Sequence, residues 1–201
     1  MRSPLFFILF LVSSLCFCQT YKFDLLTVYE MKNEDKSGES TIFTNKSDPT
    51  YFLKFGYDGR GYIHDPKRKV QHVFDIDQKS ETLKFIYLHS IRYKAKKGHQ
   101  TEAIIEIKPI SIDSLYKTVD LYYYKNNKKK IIGQVELKIK KHSENLINTA
   151  LQSIFKFTYT YAYDDPEYGL VESMVFKSKW ARNRRHKLVR MQNINYTLTI
   201  E

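Results

Sequence analysis

Phe155-Lys-Phe-Thr-Tyr-Thr-Tyr-Ala-Tyr163 alternates aromatic side chains with Lys, Thr or Ala. Successive side chains of a β-strand point to opposite faces of a sheet, so this alternation places all the rings on one face. The same spacing on a helix would scatter the rings around its circumference. The stretch therefore predicts a strand with one aromatic face.

Runs of the same kind recur along the chain, which contains 16 Tyr and 13 Phe among its 201 residues. Short turn sequences rich in Pro, Asp, Asn, Gly or Lys separate these runs. The pattern predicts a mainly β protein, with further strands at 21–32, 39–45, 50–55, 61–65, 70–75, 83–93, 102–108, 118–124, 131–140, 170–179 and 186–200.

One segment has a helical period instead. Its apolar side chains, spaced three and four apart, are Leu146, Ile147, Ala150, Leu151 and Ile154. Ser143 is a suitable N-cap, and Glu144 is favourable in a first helical turn. The spacing predicts one helix over 143–153, and a shorter helical turn near 111–116 is a second candidate.

About a dozen strands joined by short turns predict an antiparallel meander, and a sheet of that size tends to curl or split. The sequence does not decide between three architectures: a barrel, a half-barrel around the helix, and a two-layer sandwich. Ile86 and Leu88 lie opposite Phe85 and Tyr87 on one strand, so both faces need a cover. We predict a strongly curved sheet, half-barrel or barrel-like, with one packed helix and with 19–201 as a single domain. This architecture resembles that of the periplasmic lipoprotein carriers with a half-barrel fold, a resemblance that carries over no functional residue.

The segment 1–18 resembles a bacterial secretory signal peptide. Arg2 precedes an apolar run at 5–17 that is shorter than the ~20 residues a spanning helix needs. Cys16 and Cys18 are small residues at positions −3 and −1 of a signal-peptidase cleavage site before Gln19. The alternative is that the segment is not cleaved and serves as a membrane anchor. We expect an exported protein, periplasmic or secreted, from a bacterial cell, with no transmembrane span after cleavage.

Both cysteines lie in this leader, so 19–201 contains none. Small exported domains often depend on disulfides, but this one must be stabilised by burial alone. A length near 180 residues permits that, because such a domain buries roughly 70% of the surface of its unfolded chain.

The formal net charge is +11, from 33 Lys and Arg against 22 Asp and Glu. Such a surplus suits either a solvated, lysine-rich surface or an anionic partner. The basic cluster nearest the single tryptophan gives the candidate anion-binding residues, which are Trp180, Arg182, Arg184, Arg185 and Lys187. No nucleic-acid-binding module is recognised, so we expect no nucleic acid partner.

No motif for catalysis or cofactor binding stands out. The six histidines show no metal-ligand spacing, and neither a G-x-S-x-G sequence nor a phosphate-binding glycine loop is found. We therefore expect a protein that is not an enzyme and that needs no metal or cofactor. A hydrolase whose site the sequence does not reveal is the lowest-ranked hypothesis.

The leading hypothesis is an exported β protein that binds an apolar or amphipathic ligand, a lipid or a lipidated partner, between the aromatic face and the helix. The candidate ligand-binding residues are Leu146, Ile147, Leu151, Phe155, Phe157, Tyr159, Tyr161 and Tyr163. The alternative is an envelope or surface protein whose basic turns bind an anionic polymer or a partner protein.

Overall fold

The computed structural model describes residues 19–34, 36–56, 58–77, 83–92, 104–125, 130–154, 167–177 and 184–200. The protein is mainly β, as predicted, with one antiparallel sheet of eleven strands and one short helix in the described residues. In chain order, strands β1 to β11 are Gln19–Lys32, Ser37–Thr44, Phe52–Phe55, Arg60–Asp65, Val70–Asp77, Lys84–Arg92, Ile104–Ile112, Tyr116–Lys125, Lys130–Lys141, Tyr168–Phe176 and Arg185–Ile200, and helix α1 is Ile147–Ile154.

Each of these strands coincides with a predicted one, with ends that differ by a few residues. The predicted aromatic strand at 155–163 lies outside the described residues, so it stays a prediction. The helical turn near 111–116 is wrong, because β7 extends to Ile112 and a turn follows it. The Asp113 carboxylate closes that turn by accepting hydrogen bonds from the backbone N–H groups of Leu115 (2.8 Å) and Tyr116 (2.6 Å).

The sheet consists of two meanders that meet at its centre. Its strand order is β6-β5-β4-β3-β2-β1-β11-β10-β9-β8-β7, so β1 and β11 form the central pair. That pair runs antiparallel from Gln19 opposite Ile200 to Lys32 opposite Arg185, with two irregularities in its register. Within the described residues the sheet stays open, and β6 and β7 are its edge strands.

The sheet must be curved. A flat sheet of eleven strands would separate its edge strands by about 48 Å. The twelve peptide steps from Arg92 on one edge to Ile104 on the other reach at most about 43 Å. The side chain of Tyr29 shows the curvature at the centre, since its hydroxyl donates to the Val171 carbonyl oxygen of β10 (3.2 Å) across the intervening strand.

Both faces of the sheet carry buried residues, but the cover predicted for β6 is wrong, because Ile86 (55%), Tyr87 (41%) and Leu88 (38%) are exposed on this edge strand. Ile42 and Phe43 are sequence neighbours on β2, so they point to opposite faces, and they belong to different cores. The helix-side core comprises Tyr29, Ile42, Phe52, Val119, Leu121, Val135, Leu137, Ile139, Ile147, Ala150, Leu151, Tyr168, Val171, Met174 and Phe176. The opposite core comprises Tyr21, Phe23, Leu26, Phe43, Tyr51, Leu53, Ile63, Phe74, Leu198 and Ile200.

Helix α1 begins later than predicted. Its N-terminal cap is Asn145, whose Oδ1 accepts a hydrogen bond from the Ile147 backbone N–H (3.2 Å), and not Ser143. The residues before the helix lie against β10 instead of continuing the helix. Leu146 N–H donates to the Gly169 carbonyl oxygen (2.7 Å), which fixes the start of α1 on the sheet.

Candidate functional site

Helix α1 lies on the helix-side face of the sheet, where it contacts β10 and β2. Leu146, Ile147 and Leu151 are all buried, and the latter two pack in the helix-side core with Ile42 and Met174. These are three of the eight predicted ligand-binding residues. The other five, Phe155, Phe157, Tyr159, Tyr161 and Tyr163, lie outside the described residues, so the structure does not test whether they join the three.

Several polar atoms near this helix are buried and, within the described part of the chain, have no hydrogen-bond partner. They are Thr27 Oγ1, Ser40 Oγ, Thr44 Oγ1, Asn148 Oδ1 and both ring nitrogens of His186. A buried polar group without a partner costs about 1–3 kcal/mol, and native proteins contain few such groups. When several such polar atoms lie on one side of a sheet, a water molecule or a ligand is needed there to form hydrogen bonds with them.

Strand register places the three hydroxyls on the helix side. Residues directly opposite each other on paired strands share a face. The opposed pairs, each with one member in the helix-side core, are Thr27 with Ile42, Ser40 with Tyr29, and Thr44 with Phe52. The three hydroxyls form a polar layer on the helix side of the sheet, and Asn148 of α1 has a further buried oxygen, Oδ1, without a partner among the described residues.

His186 belongs to the same layer, because it lies opposite Met174 of the helix-side core. Its ring centroid is 5.0 Å from that of Phe176, and only 3% of the residue is exposed. Burial, followed by the positive charges of Lys54 and Arg184, lowers the pKa of His186 to about 4. The ring is therefore neutral at pH 7.

The sequence signal for this polar layer is weak. Leu25, Leu26, Thr27, Val28 and Tyr29 are all buried, so β1 is covered on both faces. A threonine within such a run is a polar group at a core position. The alternation of side chains along β1 does not reveal that the Thr27 hydroxyl lacks a hydrogen-bond partner. The partner would have to come from the neighbouring strands β2 and β11, and a single strand does not show which of their residues lie beside Thr27.

The predicted anion-binding residues are described in part. Trp180 and Arg182 lie outside the described residues, whereas Arg184, Arg185 and Lys187 are exposed. Arg185 lies directly opposite Lys32 on β1. We call Lys32, Arg184, Arg185 and Lys187 the basic end of the central strand pair.

A polar network on the opposite face was not predicted. The Tyr21 hydroxyl lies 3.0 Å from Asp65 Oδ2 and 2.9 Å from His72 Nε2. Arg68 Nη1 donates to the same Asp65 oxygen (2.7 Å). Tyr21, Asp65 and His72 are all buried, and they connect β1, β4 and β5.

This network ends at an exposed serine. His72 Nδ1 lies 2.6 Å from Ser90 Oγ on edge strand β6, and the Tyr87 hydroxyl lies 2.7 Å from the same Oγ. Burial lowers the pKa of His72, an effect that the nearby Asp65 carboxylate opposes. Sequence spacing does not reveal the contact, because His72 and Ser90 meet only through the register of β5 with β6.

Two searches of the described residues concern metal-ligand clusters and membrane-spanning helices. Among them, no group of three or more His, Cys, Asp or Glu side chains is arranged to hold a metal ion. No helix in that part of the chain is long and apolar enough to cross a membrane. Comparison with known proteins finds no family model that matches the chain and no curated protein that matches it.

Proposed function

We propose that this protein is an exported β protein that binds an amphipathic ligand, a lipid or a lipidated partner, on its helix-side face. The observation that carries the proposal is the group of buried polar atoms on the helix side of the sheet that have no hydrogen-bond partner among the described residues. A polar head group that bonds to these atoms would offset their desolvation. The apolar side chains around them would accommodate a hydrocarbon chain.

The helix is the natural cover for such a ligand. It is two turns long, and it rests on β2 and β10 through Ile147, Ala150 and Leu151. An isolated helix of this length is marginal in water, so its order depends on that packing. A ligand that shares the same apolar surface would therefore stabilise the helix, and its removal would weaken the cover.

The first prediction concerns Thr27 and Thr44. In Thr27→Val/Thr44→Val the hydroxyls that would contact the ligand are replaced by methyl groups of similar volume. We expect ligand affinity to fall about tenfold, which corresponds to about 1.4 kcal/mol. The ligand-free protein should melt at the same or a higher temperature, because two unpartnered polar groups are no longer buried.

The measurement starts with mass spectrometry of small molecules extracted from natively purified protein. The compound found is then titrated into delipidated wild type and variant. Thr197→Val/Thr199→Val is the control, since these threonines are exposed on β11. Wild-type protein that carries no compound and binds neither phospholipid nor acylated peptide would refute the proposal.

The basic end supports a second candidate function, binding of an anionic polymer at the envelope or cell surface. Like charges that lie directly opposite each other on neighbouring strands destabilise a sheet. Lys32 and Arg185 are such a pair, but the Glu30 carboxylate, 2.9 Å from Lys32 Nζ and opposite Lys187, offsets part of their charge. Arg184 adds a further exposed positive charge, so the excess at this end stays positive and would attract a polyanion.

The second prediction tests the basic end with dextran sulfate as the probe. We expect wild-type binding to weaken steeply between 50 and 300 mM salt, as the Debye length falls from about 14 to about 6 Å. Arg184→Gln/Arg185→Gln should reduce affinity about tenfold at the lower salt concentration. Lys67→Gln/Lys69→Gln removes two exposed charges from the β4–β5 turn and is the control. Equal losses in the two variants would show that only net charge matters.

A further inference from the structure

We propose that Ser90 is the nucleophile of an ester-hydrolysing site on edge strand β6, with His72 as its general base. The site is separate from the proposed ligand-binding face, because His72 lies opposite Ile63 of the opposite core. It also goes beyond the expectation of a protein without enzymatic activity. The arrangement has the three parts that an activated serine needs: a nucleophile, a base within hydrogen-bond distance, and a group that orients the base.

The proposed site uses one arrangement of protons. The Tyr21 hydroxyl has two acceptors, Asp65 Oδ2 at 3.0 Å and Gln19 Oε1 at 2.9 Å, and the charged carboxylate is the stronger, so the single proton is assigned to the bond with Asp65. The Tyr21 oxygen then accepts from the His72 Nε2–H group at 2.9 Å. His72 Nδ1 is left as an acceptor, and Ser90 donates its proton to it at 2.6 Å. Tyr21 and Asp65 are thus positioning residues for the base.

The nucleophile is open to solvent, whereas the base is not. Ser90 is exposed on the edge strand, and His72 is 3% exposed. A neutral imidazole in a desolvated position is suited to accept a proton at pH 7. The groups that face it are Asp65 and Arg68 from the β4–β5 side, Tyr21 from β1 and Tyr87 from β6.

The proposed reaction uses a carboxylic ester and water. The oxygen of Ser90 attacks the ester carbonyl carbon, and its proton moves to His72 Nδ1. The carbon–oxygen bond to the alcohol then breaks, and the departing oxygen takes the proton from His72. A water molecule, deprotonated by the same nitrogen, attacks the acyl-serine ester, which releases the carboxylic acid and restores Ser90. The Tyr87 hydroxyl, 2.7 Å from Ser90 Oγ, is placed to donate to the negative oxygen that forms in each half-reaction.

The surroundings of Ser90 suit a short acyl group. The Tyr87 ring, 41% exposed, lies on the same face of β6 as Ser90, and its hydroxyl is 2.7 Å from Ser90 Oγ. Ile86 and Ile91 lie on the other face, because they are opposite Asp75 and Gln71. A short acyl chain would contact the Tyr87 ring, so the substrate class is an ester of a short aliphatic acid.

The third prediction is the test of this site with a fluorophosphonate probe, which forms a covalent bond with activated serines. Full-length protein is incubated with the probe, and the labelled peptide is identified by mass spectrometry. We expect the label on Ser90, none in Ser90→Ala, and a rate at least about 100-fold lower in His72→Gln. Ser111→Ala removes an exposed serine from the other edge strand, β7, and should label like wild type.

Two further measurements keep the test decisive if His72→Gln does not fold. The labelling rate should rise with pH through a midpoint below 6.5, where His72 loses its proton. Asp65→Asn should move that midpoint to lower pH, because the carboxylate charge raises the pKa of His72. Hydrolysis of p-nitrophenyl butyrate should follow the same profile. Absence of label on Ser90 in folded wild-type protein, or labelling of Ser90 and Ser111 at equal rates, would overturn the proposal.

Discussion

Replacing Gly169 with valine is expected to lower the free energy of unfolding by about 3 kcal/mol or more. A Cβ atom at this position would lie 2.0 Å from the Glu144 carbonyl oxygen and 3.1 Å from the Asn145 Cα. Both are backbone atoms, so no rotation of a side chain relieves the overlap. The segment that starts helix α1 would have to move away from β10, and the hydrogen bond from Leu146 N–H to the Gly169 carbonyl oxygen would break.

Urea unfolding followed by circular dichroism measures this loss. Gly61→Ala is the matched control, because its Cβ would meet only side chains, the nearest being the Phe85 ring at 3.0 Å. Since the ring can shift, the control should lose less than half as much stability. A valine variant as stable as wild type would mean that the segment before α1 does not lie against β10.

The second large effect is a loss of stability in mild acid caused by His186. Its folded pKa of about 4 lies below the 6.5 of an exposed histidine, so folding favours the neutral ring. The unfolded chain takes up a proton as pH falls through 6.5, whereas the native protein does so only near pH 4. This contribution to stability is therefore complete above pH 6.5 and is lost between 6.5 and 4, up to about 3 kcal/mol.

The measurement is the free energy of unfolding of ligand-free protein at several values between pH 7.5 and 4. Carboxylates also titrate near the lower limit, so the informative quantity is the difference between wild type and His186→Leu. We expect a constant difference between the two curves above pH 6.5, and a fall of the wild-type curve relative to that of His186→Leu, by up to about 3 kcal/mol, as pH falls from 6.5 towards 4. His89→Gln changes an exposed histidine on β6 and should keep the wild-type slope. Parallel curves for wild type and His186→Leu would contradict the assignment.

The strands were predictable because their side chains alternate and because turn residues separate them. Burial on both faces was predictable only in part: Ile42 and Phe43 are buried in different cores, whereas Ile86, next to Phe85, is 55% exposed on edge strand β6. The start of the helix was not, since Ser143 and Asn145 are both good N-caps. The choice between them depends on the contact of Glu144 with Gly169, a residue of a distant strand.

The polar sites were beyond prediction for a related reason. A single strand shows which residues share a face, but the register between strands decides which residues meet. Ser90 and His72 are 18 positions apart and lie directly opposite each other on β6 and β5. Asp65 reaches the same network only through Tyr21 of β1, because the curved sheet brings these strands together.

The central pairing of β1 with β11 sets the order in which this molecule can be assembled. Gln19 and Ile200 are register partners although 181 positions separate them (200 − 19), so their contact requires the closure of a very long loop. Before β11 is synthesised, no strand lies between β1 of the first meander and β10 of the second. The free edges of β1 and β10 can then pair with strands of other chains. Completion of the fold during synthesis therefore waits for the last strand. A chaperone or holding factor that covers β1 in the interval would act at the step where aggregation competes most strongly.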